Sequence, residues 1–275
     1  MVLLIMTKKT SARTFAIGDI HGHLDALTAL IDSLDLQEDD RLVFLGDFVD
    51  KGPDSKGVLD YLINLEKKHD CVFIRGNHEE WMLYGLETPK DETEREKLEF
   101  FWIKHGGGKT LSSYNAEDCD GFREKIPDSH RTFLQNTVAA YETETHVFVH
   151  AGWDSDKTLD EQERRTLRYR FLSEAAPDPA FGKEIVCGHS AMQNGHPAAK
   201  GNITCIDTIE NGWLTAYDIT NSVYYQADKQ GQTRTIAQAE EFCNEKHVPE
   251  FVWKITPEQD NTSRKPQNPN KRFRS

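Results

Sequence analysis

The N-terminal part of the chain repeats one pattern three times: a short apolar segment, a loop that contains glycine, and a segment with apolar residues at helical spacing. The apolar segments are 14–18, 41–45 and 71–74, and the helical segments are 23–34, 58–65 and 79–84. Three successive strand-loop-helix units predict an α/β core. Ligands of such sheets gather at the carboxyl ends of the strands, so the loops that follow the strands are the first candidates for a functional site.

Two other patterns follow along the chain. From about 88 to 136 the charge rises and the hydrophobic periodicity weakens, which indicates a mostly helical insertion that overhangs the site. Later segments rich in β-branched and aromatic residues predict a second, antiparallel sheet; they are 138–149, 184–187, 203–209, 213–218 and 223–226. We therefore expect a single domain over residues 1–260 and a basic, disordered tail over 261–275.

Composition restricts the class of protein. The 275 residues can bury a sizeable core, and 37% hydrophobic with 29% charged residues is typical of soluble globular proteins. The five cysteines include no C-x-x-C pair, which disfavours a disulfide framework and a thiolate zinc site. The longest N-terminal apolar run, residues 2–6, is too short for a secretory signal. We expect a cytoplasmic protein that does not contact membranes.

The charge of the chain restricts its partners. A formal net charge of -13 disfavours a general nucleic-acid-binding surface, because non-specific affinity for a polyanion needs clustered Lys and Arg. An anionic substrate would have to be attracted locally. Residues 264–275 are the exception, with five basic residues among Pro, Asn and Gln. A solvated tail is the first interpretation of this segment, and a docking arm is the alternative.

Five polar motifs stand at the ends of the predicted strands. In chain order they are GDIHG at 18–22, GDFVDKG at 46–52, GNHE at 76–79, HAG at 150–152 and GH at 188–189. Asp19 and His21 are two residues apart, so on an extended strand end their side chains point the same way, as two ligands of one ion do. An isolated Asp-x-His more often caps a helix. The ordered set at five strand ends, however, indicates a metal site.

This ordered set resembles the motifs of the phosphoprotein phosphatase family within the calcineurin-like metallophosphoesterases. The resemblance runs from Gly18 to about Asp218, and the segment GGGKTLSSYN at 106–115 is similar to the bacterial members of that family. It implies the metallophosphoesterase fold, a two-sheet α/β/β/α sandwich, here with a helical insertion. That architecture agrees with the element order above.

The resemblance also implies the ligands of two metal ions. Asp19 and His21 would bind one ion, and Asp47 would bridge it to the second. The remaining ligands of the second ion would be Asn77, His150 and His189. Oxygen and nitrogen donors without thiolate suit Mn, Fe or Zn better than Ca, and we expect a pair of divalent ions, with Mn favoured.

Two further roles are implied beside the metals. His78 would be the general acid, and Asp50 would orient it. Lys51 stands where the family motif usually has Arg. Because Lys offers a single charge instead of a bidentate fork, the phosphate contact at this position would be weaker or differently shaped.

Other residues are candidates for contacts with the substrate phosphate. Asn77 is one, and Arg168 or Arg170, in the segment RYRFLS, could be a second cationic clamp. For these two arginines a surface position on a helix is an equally open alternative. Arg75, directly before GNHE, is either a support for that loop or a substrate contact.

The implied reaction is hydrolysis of phosphate monoesters by a hydroxide that bridges the two ions, without a covalent phospho-enzyme. The first hypothesis for the substrate is phosphorylated Ser or Thr of proteins, with Tyr also open, or a small phosphoester. A dinucleoside-polyphosphate hydrolase of the Ap4A type is the alternative on the same fold. An inactive metal-binding scaffold is the alternative of another class. The motifs do not separate the two enzymes, because the insertion shapes the pocket.

Overall fold

The computed structural model describes residues 12–86, 91–172, 182–241 and 272–274. The strands are β1 (Thr14–Ile17), β2 (Arg41–Phe44), β3 (Asp70–Phe73), β4 (Val138–Glu142), β5 (His146–Val149), β6 (Glu184–Cys187), β7 (Ala198–Lys200), β8 (Ile203–Cys205), β9 (Trp213–Asp218), β10 (Val223–Asp228), β11 (Thr233–Ile236), β12 (Glu240–Glu241) and β13 (Arg272–Arg274). The α-helices are α1 (Leu24–Ser33), α2 (Ser55–Leu65), α3 (Asn77–Leu86), α4 (Glu92–Trp102), α5 (Gly108–Ser113), α6 (Cys119–Lys125), α7 (Asp128–Asn136) and α8 (Arg164–Tyr169).

The strands form two mixed sheets. The first has the order β11-β10-β9-β1-β2-β3, and the second has the order β12-β7-β8-β6-β5-β4-β13. The three N-terminal strands pair in parallel, as the strand-loop-helix units predict. Our expectation of a purely antiparallel second sheet is wrong. β5, β6 and β8 pair in parallel, while β9 and β10 leave that sheet and add antiparallel strands beside β1.

The layers follow from the alternation of side chains along the strands. On β1, Phe15 and Ile17 pack into the cluster formed with α1 and α2, whereas Ala16 packs into a cluster that contains residues of both sheets. A third cluster covers the other face of the second sheet and includes Leu167 of α8. The chain is therefore a two-sheet α/β/β/α sandwich, and this prediction of the fold class is confirmed.

Differences from the sequence-based expectation occur mainly after β3. Residues 91–136 are mostly helical, as expected for the insertion, but they include a wider π turn at Ile103–Gly107. The strand expected at 203–209 ends at Cys205, and Ile209–Asn211 forms a 3-10 turn. Arg272–Arg274 pairs with β4, where we expected a disordered tail; 261–271 and Ser275 lie outside the described residues. Within the described ranges, no helix combines the length and the apolar character needed to span a bilayer.

Arg75 joins the end of β3 to the end of the insertion. Its buried guanidinium donates from Nε to Thr137 Oγ1 at 2.7 Å and from Nη2 to the carbonyls of Leu134 at 2.7 Å and Gln135 at 3.2 Å. These carbonyls belong to the last turn of α7, where the helix itself supplies no i+4 donors; Thr137 also donates to the Leu134 carbonyl through its backbone N–H and its hydroxyl. Of the two interpretations of Arg75, the contacts support the structural one.

We predict that Arg75→Met lowers the free energy of unfolding by about 1 to 3 kcal/mol, because the variant removes three buried hydrogen bonds that join the end of β3 to the end of α7. The control is Lys56→Met, which removes an ion pair with Asp60 on the surface of α2 and should cost at most about 0.5 kcal/mol. Urea unfolding of both variants provides the comparison. Equal small losses would show that Arg75 does not hold the insertion.

Candidate metal centre

The carboxyl ends of five strands from both sheets meet at one place. β1 is followed by Asp19, β2 by Asp47, β3 by Asn77, β5 by His150 and β6 by His189. Asp19 accepts hydrogen bonds from the backbone N–H of His189 at 3.2 Å, and His150 Nε2 lies 2.9 Å from Asn77 Oδ1. The residues that the resemblance implies as ligands are thus brought together from across the sequence.

Asp47 lies in the middle of this group. Its Oδ2 faces His21 Nε2 at 3.7 Å, and its Oδ1 faces His150 Nε2 at 3.4 Å. Candidate ligand atoms of Asp47, His21 and His78 lie within 4.8 Å of one another, and so do those of Asp47, His150 and His189. One carboxylate oxygen is therefore available to each of two ions, as a bridging ligand requires.

Hydrogen bonds at Nδ1 prepare the three proposed histidine ligands. His21 Nδ1 lies 3.0 Å from the Val49 carbonyl and His150 Nδ1 lies 2.9 Å from the Leu45 carbonyl. The ring of His189 likewise forms a hydrogen bond with the backbone of Tyr169. Its buried Nε2 has no hydrogen-bond partner among the described residues. A carbonyl only accepts, so Nδ1 of the neutral ring carries the proton and Nε2 presents a lone pair. Metal-binding histidines in proteins are held in this way.

Charge at the site favours cations. Burial raises the pKa of Asp19 and of Asp47 well above the usual carboxyl range, and neighbouring carboxylates raise both further. Burial also lowers the pKa of His21 and His150, so these rings are neutral. Closely spaced carboxylates with neutral imidazoles and an amide form a donor set that fits divalent transition metals.

Glu79, the last residue of GNHE, holds two of the site loops together. Its Oε2 accepts from the backbone N–H groups of Asp47 at 2.8 Å and Gly76 at 2.9 Å, and its Oε1 accepts from Phe48 at 2.7 Å. Glu79 is fully buried. We assigned no role to Glu79 from the sequence, although its place in the motif was the available signal.

Backbone strain concentrates at the site. Eight non-glycine residues of the described chain have positive φ angles, and five of them are His21, Asp47, Asp50, Lys51 and His189. A left-handed conformation costs a residue with a Cβ on the order of 1 kcal/mol, so it persists only where surrounding contacts impose it. Such clustering is typical of functional sites.

His78 and Asp50 form the predicted pair. His78 Nδ1 lies 2.8 Å from Asp50 Oδ2, and Thr110 Oγ1 and Trp102 Nε1 donate to the same carboxyl at 2.6 and 3.0 Å. Burial raises the pKa of Asp50 to about 8, and the bonds from Thr110 and Trp102 oppose that shift. The indole N–H and the Thr110 hydroxyl both donate to the carboxyl, and an ionised Asp50 would place the proton of the shared hydrogen bond on His78 Nδ1.

Trp102 and Thr110 belong to the insertion, and we did not identify them from the sequence. The only signal was their position within and beside the segment GGGKT, which the family resemblance singled out. The backbone N–H of Lys51 also donates to the Gly106 carbonyl at 3.2 Å. The insertion therefore supports the proposed acid and the loop that carries Lys51.

Of the cationic candidates, Lys51 lies at the centre itself. Its Nζ is 3.0 Å from His21 Nε2, and it forms an ion pair with Glu210. Asp47 and Asp207 also lie close enough to raise the pKa of Lys51. Lys51 is thus placed to contact a phosphate bound beside Asp47.

The two arginines differ in their surroundings. Arg168 is buried and bonds Glu80 through Nη1, while its Nε and Nη2 have no hydrogen-bond partner among the described residues. Its charge contributes to the lowered pKa of His150, so it lies near the centre. Arg170 is exposed and pairs with Asp154. Arg168 is therefore the stronger of the two candidates for a phosphate contact.

Aromatic side chains border the centre. The Trp81 ring lies 4.5 Å from the His78 ring, and Phe171, which is 48% exposed, stacks on His189 at 4.4 Å. Phe101 of the insertion packs edge-on against Trp81.

We predict that Thr110→Val lowers kcat about tenfold, equivalent to about 1.4 kcal/mol, because Asp50 loses a donor and holds the His78 imidazolium less well. Metal content and KM should not change. Ser112→Ala is the control, since Ser112 lies on the same helix and its hydroxyl donates to the Gly108 carbonyl rather than to Asp50. Steady-state kinetics with metal analysis test this, and equal kcat values for both variants would contradict the supporting role.

Solved structures share the fold. A crystal structure assigned to a diadenosine tetraphosphatase superposes with a TM-score of 0.57 at 20% identity, covering 80% of this chain and 95% of the other. The cold-active protein-tyrosine phosphatase of a psychrophilic Shewanella species gives a TM-score of 0.53 at 15% identity, covering 82% of this chain and 80% of the other. At these identities the likeness concerns the fold alone.

Curated relatives match over shorter stretches. The zinc-dependent endopolyphosphatase of Saccharomyces cerevisiae is 43% identical over 75 residues, which are 26% of this chain and 22% of the relative. The symmetrical bis(5'-nucleosyl)-tetraphosphatase of Pseudomonas fluorescens is 38% identical over 91 residues, 31% of either chain. The matched part thus spans about a third or less of these relatives.

A family model covers most of the chain. The match extends over residues 12–220 and includes every residue of the proposed centre. On the strength of that match, and in agreement with the two-sheet sandwich, the chain belongs to the calcineurin-like phosphoesterase family.

Proposed function

We propose that this chain is a dinuclear-metal phosphohydrolase and that dinucleoside polyphosphates are its first substrate class. The observation that carries the reaction class is the position of Asp47, whose two oxygens face separate groups of nitrogen ligands. Asp19 and His21 would complete one metal site, and Asn77, His150 and His189 the other. Three imidazoles in the set favour Mn, Fe or Zn over Mg.

The residues around the metals have distinct roles in this proposal. Two bound divalent ions would lower the pKa of a water molecule and neutralise phosphoryl oxygens. Lys51, together with the Nε and Nη2 groups of Arg168, would bind the remaining phosphate oxygens. His78 would donate a proton to the departing oxygen while Asp50 stabilises the imidazolium. The local charge of the ions attracts an anion despite the net charge of -13.

The choice of substrate class has two supports. The names of the matched curated relatives refer to polyphosphate or to nucleosyl tetraphosphates. Trp81 and Phe171 adjoin the centre through His78 and His189, and aromatic rings bind nucleobases by stacking, worth about 1 to 3 kcal/mol per base. This ranks the Ap4A-type activity above our first hypothesis from the sequence.

Phosphorylated Ser, Thr or Tyr of proteins remains the second candidate. The observation in its favour is the exposure of Phe171, which together with Phe100 and Ile103 of the insertion leaves apolar side chains open to solvent. A protein substrate could contact these side chains, and a phosphotyrosine ring could use the same aromatic rings as a base.

We predict no turnover in EDTA and recovery with Mn²⁺ in preference to Mg²⁺. With Mn²⁺, kcat/KM for diadenosine tetraphosphate should exceed that for phosphoserine and phosphotyrosine peptides by about tenfold, the equivalent of one stacked base. Reconstitution of metal-free protein followed by assays of all three substrates provides the measurement. Full turnover in EDTA would refute the metal mechanism, whereas a higher kcat/KM for a peptide would select the second candidate.

We predict that His78→Asn retains both metals and slows esters according to their leaving group. An alkyl phosphate, whose alkoxide needs a proton, should lose about 100 to 10,000-fold in kcat, and p-nitrophenyl phosphate should lose less. His105→Asn is the matched control, since His105 packs on Trp81 outside the centre and should not change the ratio of the two rates. Equal losses on both esters with full metal content would remove the general-acid assignment.

A further inference from the structure

Asp207 is a carboxyl at the edge of the centre that none of the five motifs contains. It follows β8, which pairs in parallel with β6, the strand that leads to His189. The preceding residue, Ile206, lies against Gly18, where a Cβ would approach the Ile206 carbonyl oxygen to 2.5 Å. Since Gly18 directly precedes Asp19, the two strand ends bring Asp207 beside Asp19.

The hydrogen bonding of Asp207 is incomplete. The residue is 3% exposed; its carboxyl bonds the backbone at Ile209, and its Oδ1 is buried without a hydrogen-bond partner among the described residues. The nearby hydroxyl of Thr208 is not a donor to it, because that hydroxyl bonds the Trp213 carbonyl and Thr215. A buried carboxylate oxygen without a partner is rare and calls for an explanation, of which a bound ion is one.

The charges around Asp207 indicate the sign of the missing partner. The carboxylate of Asp207 lies close enough to raise the pKa of Asp19 and of Asp47. Burial raises the pKa of Asp207, and the charge of Lys51 opposes that shift. Lys51, however, also forms an ion pair with Glu210. Lys51 therefore compensates only part of the negative charge of these buried carboxyls, and a bound cation would balance more of it.

The proposed ligand sets of the two ions are unequal. Asp19, His21 and Asp47 give the first ion three protein ligands. The second ion has four, namely Asp47, Asn77, His150 and His189. Asp207 lies on the Asp19 side, where the smaller set is.

We infer that Asp207 is a fourth protein ligand of the ion held by Asp19 and His21, contributed through Oδ1. This assignment rests on the proposed dinuclear centre. It adds a hard oxygen donor to that ion, which favours Mn²⁺ over softer ions at this position.

The test is equilibrium binding of Mn²⁺ to the metal-free full chain. Binding is measured by calorimetry, and the number of bound ions is measured by metal analysis after dialysis. The wild type should bind two ions. Asp207→Asn should keep one ion at wild-type affinity and bind the other at least about tenfold more weakly, since even an outer partner of a metal ligand contributes 10- to 100-fold. Metal-free Asp207→Asn should melt no lower than the wild type, because it loses an unpaired charge, and Mn²⁺ should raise its Tm less.

Asp218→Asn is the matched control. Asp218 is equally buried, but it lies at the other end of the first sheet and its two oxygens accept from Asn221. It should bind both ions as the wild type does. Asp207→Ala repeats the test with a side chain that has no oxygen to offer the ion. Wild-type binding of both ions by the Asp207 variants would overturn the inference, whereas failure of the wild type to bind two ions would overturn the dinuclear proposal instead.

Discussion

The candidate centre depends on the hydrogen bonds that the Glu79 carboxylate accepts from the backbone N–H groups of Asp47 and Gly76. It fixes the loops after β2 and β3 against each other, in a place where Asp47 has a φ of 51°. Gly76 must lack a side chain there, because a Cβ would lie 2.0 Å from Asp47 Oδ1. A buried carboxylate that accepts several N–H groups is strongly stabilised, and it can offset the strain of the loop. The direction of the Asp47 oxygens follows from this arrangement.

In the proposed mechanism the insertion supports the acid and also borders the substrate. Trp102 and Thr110 donate to Asp50, and Phe101 packs against Trp81, which in turn contacts the His78 ring. If His78 is the proton donor, a change in the insertion would alter both its support and the surface that a base or a protein side chain would meet. The proposal therefore couples substrate preference to rate through these contacts.

The sequence predicts those features that depend on local pattern. The parallel strands and their helices follow from periodicity, and within each sheet the candidate ligands share one edge because they follow parallel strands. Other features depend on which distant segments become neighbours. The placement of β9 and β10 beside β1, the bonds of Arg75 to α7 and the support of Asp50 by Trp102 each join residues that no local pattern relates. Glu79 is intermediate, since its motif was recognised but its backbone contacts need the folded loops.

Crystals of the full chain grown with Mn²⁺, measured at the manganese absorption edge, test the central claim most directly. We expect two anomalous peaks, about 3.5 to 4 Å apart, on either side of the Asp47 carboxylate. One peak should lie near Asp19 and His21, and the other near Asn77 and His150. A single peak, or peaks away from Asp47, would contradict the dinuclear centre.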